Sequence, residues 1–248
     1  MKYSWRVLEF DSRIFGLTFA KVLLSDSGDH TDEDIAILIN ELVEQGVSYA
    51  SVRIPMTNLE AVHQFEKNSF VLVDSLVGLS KKINYQTPDP IENENIRRAK
   101  IEDLEMLKQI AEDSMVENRF YRDAFFKKML RKVRKIYSGW IENSFKKIAA
   151  DEVLVYLKNN IPVGFIVLEN SGHIPLIAVS QEHRGSGIAS ALIQHAVGHF
   201  KRDKISLVLI EAVLGNISAI RTYEANGFKM TGGFYTLAWH NDHITSHN

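Results

Sequence analysis

The chain has 248 residues, 45% hydrophobic and 24% charged, with a formal net charge of -2. That length suits one large domain or two modest ones, and a near-neutral balance excludes the global field that would hold the chain on nucleic acid or a membrane. With no cysteine, disulfides, cysteine zinc sites and a cysteine nucleophile are all excluded.

Taken in order, Tyr3 to Leu8 and Phe19 to Leu24 read as short strands around Asp11-Ser12-Arg13-Ile14-Phe15-Gly16. Asp32 to Gln45 reads as a helix capped by Asp32 or Thr31, with Ile35, Leu38, Ile39, Leu42 and Val43 on its apolar face. Tyr49 to Ile54 alternates as a strand does, and Pro55 stops it. Leu59 to Asn68 is a second helix, and Phe70 to Leu79 a strong strand. Residues 1–85 therefore form a small α/β block. Residues 86–95 lie in a run with two prolines and many polar residues, read as a linker. A second domain is expected over residues 96–248.

That second block opens with a strand at Ile96 to Ala99 and an acid-rich helix from Ile101 to Ala111. Asn118 to Arg122 is expected as a loop, and Ala124 to Lys147 as one long helix. The helix has a basic side of Lys127, Lys128, Arg131, Lys132, Arg134 and Lys135. A solvated face is the simpler reading of it, and an anion-attracting wall the sharper one. No exposed aromatics or nucleic-acid motif accompany it. Glu152 to Leu157 and Val163 to Glu169 make a hairpin, and Lys204 to Ala212 reads as a strand apolar on both faces. Ser218 to Ala225 is a helix, with closing strands at Phe228 to Met230 and Phe234 to Trp239. No apolar run approaches the roughly 20 residues that span a bilayer. Met1 to Arg13 lacks the apolar core of a secretion signal. A cytoplasmic protein is expected.

The chemistry concentrates in two stretches. The apolar run Leu176, Ile177, Ala178, Val179 meets the loop Arg184-Gly185-Ser186-Gly187, and Ile188-Ala189 starts an amphipathic helix at once. Two glycines at a helix start let backbone N–H groups approach a ligand, and the helix end favours an anion such as a pyrophosphate. Neither a Walker loop nor the dinucleotide G-x-G-x-x-G is present. The second stretch, Asn216 to Phe228, reads N-x-x-A-x-x-x-Y-E-x-x-G-F after a strand.

Both motifs, in this order, resemble the GNAT superfamily of N-acetyltransferases. The resemblance implies an α+β GNAT fold with a mixed, mostly antiparallel central sheet flanked by helices, here joined to a smaller N-terminal α/β domain. It implies acetyl-coenzyme A as cosubstrate, with its pyrophosphate at Arg184 to Ala189, and Leu176 to Val179 as the cofactor-binding strand whose splayed backbone N–H groups meet the tetrahedral oxyanion. Tyr223 falls at the position of the acid that meets the departing thiolate, and Asn216 would hold the pantetheine arm or the helix start. Without a cysteine, direct transfer between two bound substrates is the favoured scheme.

Weaker features spread over the chain resemble the family that acetylates TDP-4-amino-4,6-dideoxygalactose (TDP-fucosamine). They are Trp5, Asp11-Ser12, Phe15-Gly16, the Phe70 to Leu79 strand, Arg119-Phe120 and Gly139 to Ser144. That family places a carboxylate where this chain has Asp74, one methylene shorter than the usual Glu, and has it receive the amine proton through water. Glu211 is the alternative base. The partners implied are a small nucleotide-sugar substrate and, among macromolecules, at most a second copy of the chain. No metal is implied. The C-terminal run from His240 to His247 is read as a solvated tail, and His195 and His199 as surface or rim residues. Two other readings stand beside this one: a GNAT enzyme acting on a protein or small amine, and a coenzyme A-binding module without turnover.

Overall fold

A computed structural model describes residues 3–25, 31–84, 86–87, 93–114 and 119–241. Its contacts gather the chain into two compact units. One holds Met1–Leu76, Asn118–Val133 and Gly232–Asn248; the other holds Val77–Glu117 and Arg134–Thr231. They are not the consecutive stretches, 1–85 and 96–248, expected from the composition of the linker. Much of that linker, and the tail from Asp242 on, lies outside the described residues.

The first unit is built on strands in the order β1 (Tyr3–Val7), β2 (Phe19–Leu24), β3 (Tyr49–Pro55), β11 (Lys229–His240), from Gly232 on, and β4 (Val71–Lys82), as far as Leu76. Strands β1 and β2 are antiparallel, β2 and β3 parallel, and β3 and β11 antiparallel, with Ser51 opposite Ala238 and Arg53 opposite Thr236. This pairing draws the C-terminal stretch into the first unit. The parallel β2–β3 pair needs a crossover, supplied by α2 (Asp32–Glu44). Thr31 caps α2 by accepting the Asp34 N–H at 3.2 Å, and Asp34 reaches back to the Thr31 N–H at 3.1 Å.

Period-2 alternation divides β3 sharply. Ala50, Val52 and Ile54 enter a core with Ile35, Leu38 and Leu42 of α2, Phe65 of α3 (Leu59–Lys67), and Leu237 and Trp239 of β11. Tyr49, Ser51 and Arg53 alternate with them and so face the other way. That face carries an aromatic group in which Phe15 of α1 (Glu9–Phe15) stacks on Phe19 at 4.8 Å and Phe126 sits 5.1 Å from Tyr49. Burying each phenylalanine contributes about 1.5–3 kcal/mol, which explains why the 119–126 segment joins this unit. Within it, Arg119–Arg122 forms a single helical turn, α5, where a loop is expected from sequence.

The second unit contains an antiparallel sheet, β5 (Ile96–Arg98), β6 (Glu152–Lys158), β7 (Ile161–Leu168) and β9 (Leu176–Val179). Asn159 and Asn160, both at positive φ, close the β6–β7 hairpin. Separately, β10 (Leu207–Val213) lies between β4 and the two-residue β8 (His173–Ile174), with which it is parallel. The helices are α4 (Leu104–Ser114), α6 (Leu130–Phe145), α7 (Ile188–Arg202) and α8 (Ile217–Ala225), of which α6 begins in the first unit. Leu192, Ile193, Ala196 and Phe200 of α7 pack with Ile166, Leu168, Val208 and Ile210. The α+β class expected from the sequence is the class found.

Three local readings need correction. Strand β10 is apolar on both sides but buried on one: Val208, Ile210 and Ala212 are covered, while Leu207 and Leu209 are about two-fifths exposed. It starts at Leu207 because Lys204 adopts φ +60 and the Ile205 N–H closes on the Phe200 carbonyl. The expected helix over 124–147 is split, since Asp123 accepts the Phe125 N–H at 2.9 Å and caps a 3-10 turn before α6 begins. The two expected closing strands are one continuous strand, β11.

Candidate functional site

In the second unit the glycine loop has a left-handed backbone at both glycines. Gly185 and Gly187 sit at φ +75 and +83, and nothing lies within 4 Å of where a Cβ would stand on either. Backbone conformation, rather than crowding, therefore demands glycine at both positions. Gly187 is the N-cap of α7 and provides no side-chain cap. The first intrahelical bond runs from the Ala191 N–H to the Gly187 carbonyl, so the N–H groups of Ile188, Ala189 and Ser190 are the helix's orphan donors. Arg184, Gly185, Ser186 and Gly187 are exposed, whereas Ile188 is buried and anchors the helix to the core. Ser186 donates to the His183 carbonyl at 2.5 Å and Arg184 Nε to the Val179 carbonyl at 3.3 Å, which ties the loop to the strand end.

Strand β9 is the last strand of its sheet, with Gly164 opposite Val179 and Ile166 opposite Ile177. Its outer edge faces no further strand among the described residues. Leu176, Ile177 and Val179 are half-buried and Ala178 is buried. An added Cβ on Gly164 would meet the Ala178 carbonyl and Ile188 at 3.1 Å, so β7, β9 and the start of α7 approach closely at the loop.

Asn216 is the N-cap of α8, its Oδ1 accepting the Ala219 N–H at 3.1 Å. Of the two tasks expected for it, the described contact serves the helix start. Tyr223 lies on α8 in the unit's core, 6% exposed, with Phe228 6.3 Å away. Burial raises its phenol well above the ordinary range, so it stays protonated. Glu224 is exposed and Glu211 half-buried. His195 and His199 are both partly covered; desolvation lowers His195, and His199 Nε2 is 3.2 Å from both Glu152 and Asp203.

One residue of the second motif that sequence reasoning left without a role is Asn226. It is buried, and its Nδ2 donates to Ser190 Oγ at 3.0 Å and to the Thr222 carbonyl at 2.8 Å. Its Oδ1 accepts from Gln194 at 3.3 Å, and its carbonyl from Lys81 Nζ at 2.7 Å. Asn226 thus ties α7, which carries the glycine loop, to α8, which carries Tyr223. A polar residue between Ala225 and Gly227 at a helix end reads as an ordinary C-cap, which hides this role.

Asp74 belongs to the first unit. It is 7% exposed on β4, and its Oδ1 accepts the Ser75 N–H at 2.9 Å. Arg122 Nη1 stands 3.6 Å from the same oxygen. Desolvation raises its carboxyl above the usual range, against the Ser75 bond and the charges of Arg122, Arg119 and Arg53. Asp11 is buried nearby in the same unit, raised by desolvation and opposed by Arg119. On the basic side of α6 and its approach, Lys127, Lys128, Arg131 and Lys135 are exposed, Lys132 donates to the Phe15 carbonyl at 2.7 Å and Arg134 pairs with Asp113 at 2.7 Å. Among the described residues no group of three or more His, Asp and Glu could hold a metal ion, and no helix is long and apolar enough to cross a membrane.

An edge strand, a positive-φ glycine loop and a helix start without a side-chain cap come together at the N-terminus of α7. A family profile described as "Acetyltransferase (GNAT) domain" matches residues 111–237, just over half of the chain. The chain belongs to the GNAT acetyltransferase family. It is similar to N-alpha-acetyltransferase 30 of Saccharomyces cerevisiae, 32% identical over 77 residues, 28% of this chain and 44% of that protein. It is also similar to the spore coat polysaccharide biosynthesis protein SpsD of Bacillus subtilis, 24% identical over 188 residues, 74% of this chain and 64% of that one. The chain thus spans less than two-thirds of the length of either relative. The crystal structure of a GCN5-related N-acetyltransferase from Sphaerobacter thermophilus has the same fold, with a TM-score of 0.63 at 16% identity over 96% of this chain and 76% of that one.

Proposed function

We propose that the protein transfers the acetyl group of acetyl-coenzyme A directly to the amino group of a nucleotide-linked amino sugar of the TDP-4-amino-4,6-dideoxyhexose type. One observation carries the acyl-carrier part: the uncapped start of α7, with exposed, positive-φ Gly185 and Gly187, beside the outer edge of β9. A diphosphate at that helix end takes the orphan N–H groups and the favourable helix charge. The outer edge of β9 offers backbone donors to the pantetheine arm and to the oxyanion of the tetrahedral intermediate.

The attacking amine must be neutral. Asp74 is the proposed acceptor of its proton, through water, and the raised carboxyl makes it a stronger base than an ordinary aspartate. Tyr223 is the proposed donor to the departing sulfur. Its buried phenol is protonated at any working pH, the form that duty requires. The sugar reading draws support from SpsD, a polysaccharide-biosynthesis protein whose similarity runs over 74% of the chain. A protein N-terminus is the second reading, favoured by the higher identity to the yeast N-alpha-acetyltransferase, although that likeness covers only 28% of the chain.

The test is thiol release by purified protein. Release is expected only when acetyl-coenzyme A and a TDP-linked 4-amino sugar are both present. Release with peptide N-termini instead would move the assignment to the second reading. Acetyl-coenzyme A binding with no transfer to any amine would leave a carrier-binding module.

A further inference from the structure

The first turn of α7 carries a hydroxyl whose proton the described chain does not use. Ser190 is the third residue of α7 and is half-buried. Serine and threonine hydroxyls inside a helix commonly donate to the carbonyl four residues back. Thr222 does so to Ser218 at 2.9 Å, and Ser144 to Trp140 at 2.8 Å. Ser190 makes no such bond to Ser186. Its Oγ accepts from Asn226 Nδ2 at 3.0 Å, and among the described residues nothing accepts its own proton. The direction of the Asn226 bond is fixed by chemistry. The Thr222 carbonyl, 2.8 Å away, can only accept, so the amide nitrogen and not the oxygen must face it. The amide oxygen takes the Gln194 N–H at 3.3 Å instead. An amide nitrogen has two protons, and the second goes to Ser190. Lys81 holds the Asn226 carbonyl at 2.7 Å, so main chain and side chain are both fixed.

We propose that Asn226 is a positioning residue for the acyl carrier: by occupying a lone pair of Ser190 Oγ it turns the Ser190 proton away from α8, to be donated to the diphosphate at the start of α7. This rests on the acyl-carrier part of the reading above and is independent of which amine is acetylated. Two features suit the hydroxyl to the task. A helical side chain leans back towards the helix N-terminus, so Ser190 lies over the turn that begins at Gly187. The N–H of Ser190 is itself one of the three orphan donors of that turn. A hydroxyl that donates to a phosphate oxygen makes a charge-assisted bond, stronger than the one it would make to a carbonyl. The second motif then serves the carrier's diphosphate as well as its sulfur, through a side chain on the first turn of the other helix.

Titration calorimetry of the full chain with coenzyme A, well below the melting temperature, tests this. Ser190→Ala is expected to weaken coenzyme A about tenfold, the scale of a lost hydrogen bond to a charged group, with little change in Tm. Ser190→Thr keeps the hydroxyl and is expected to bind nearly as the wild type does. Asn226→Ala should also weaken coenzyme A. Adding Ser190→Ala to it should cost little more, because both changes act through one hydroxyl. Undiminished affinity in Ser190→Ala would overturn the inference, and so would a loss as large in Ser190→Thr. Losses that add in the double variant would overturn it too, since they mark an Asn226 that only braces the two helices. A wild-type chain that takes up no coenzyme A would sink the acyl-carrier reading itself, and this inference with it.

Discussion

The two units handle charge in opposite ways. In the second, the exposed loop Arg184 to Gly187 leads into a helix start without a side-chain cap, so what it would offer an anion is backbone N–H groups. In the first, the charge is carried by side chains on a buried face, Asp11, Asp74 and Arg119, brought together from α1, β4 and α5. A backbone cradle depends on local φ and helix direction and tolerates many neighbours. A side-chain cluster in a desolvated face depends on each member, because removing one leaves its partner buried and unmatched.

The sharpest way to break this contrast is at Tyr223. Tyr223→Phe keeps the ring that packs near Phe228 and deletes the proton donor, so kcat should fall about 100-fold or more, the scale of general acid catalysis, with acetyl-coenzyme A affinity nearly unchanged. Unaltered turnover in steady-state assays removes Tyr223 from the acid's role and leaves the second unit a binding cradle alone. Next in size is Asn226→Ala. It deletes a side chain with three hydrogen bonds and leaves Ser190 and Gln194 without it. A loss of about 2 kcal/mol is expected, read as a fall of several degrees in Tm. An unchanged Tm would show that α7 and α8 are held by apolar packing alone.

Asp74→Asn sharpens the other half. A carboxyl whose folded pKa is raised binds protons more readily in the folded state than in the unfolded one. Its ionised form therefore lowers stability above the folded pKa, and the cost is relieved as pH falls through that value towards about 3.9, the unfolded reference. Asp74→Asn is thus expected to raise Tm at pH 7, with the gain shrinking as the pH is lowered. A loss of Tm at pH 7 would mean that Arg122 and the Ser75 N–H outweigh desolvation. The smallest effect belongs to Thr31→Ala, which removes the cap of α2 and should cost about 1 kcal/mol without altering turnover; thermal melts and the thiol assay read both.

The same contrast decides what was legible in the sequence. The glycine loop and the Asn216 to Phe228 motif are contiguous, so residue types and spacing disclosed the strand, the turn and the helix, while the burial of Tyr223 came only from the packing of α8. Helix α2 and strand β3 were legible for the same reason: cap, periodicity and stop signal are local. The polar face of β3 was visible as alternation, but its partners come from residues 11, 74 and 119–122, which no local pattern joins. Arg119 to Arg122 reads as a loop because its one helical turn is set by burying Phe120 and Phe126. The unit boundaries were hidden for a related reason, since β11 joins the first unit through pairing with β3. The half-exposed face of β10 shows the remaining limit, because an apolar run does not say which of its faces is covered.

The central claim is that the N-terminus of α7 holds the diphosphate of the acyl carrier. Isothermal titration of acetyl-coenzyme A against the wild-type chain and Gly187→Val tests it most directly, with Tm measured on both. A side chain at that φ +83 position strains the turn and stands where the phosphates would lie. Binding by the wild type, and its loss in the variant while the fold still melts cooperatively, is the expected result. Equal affinity in the two proteins would place the carrier somewhere other than this helix end.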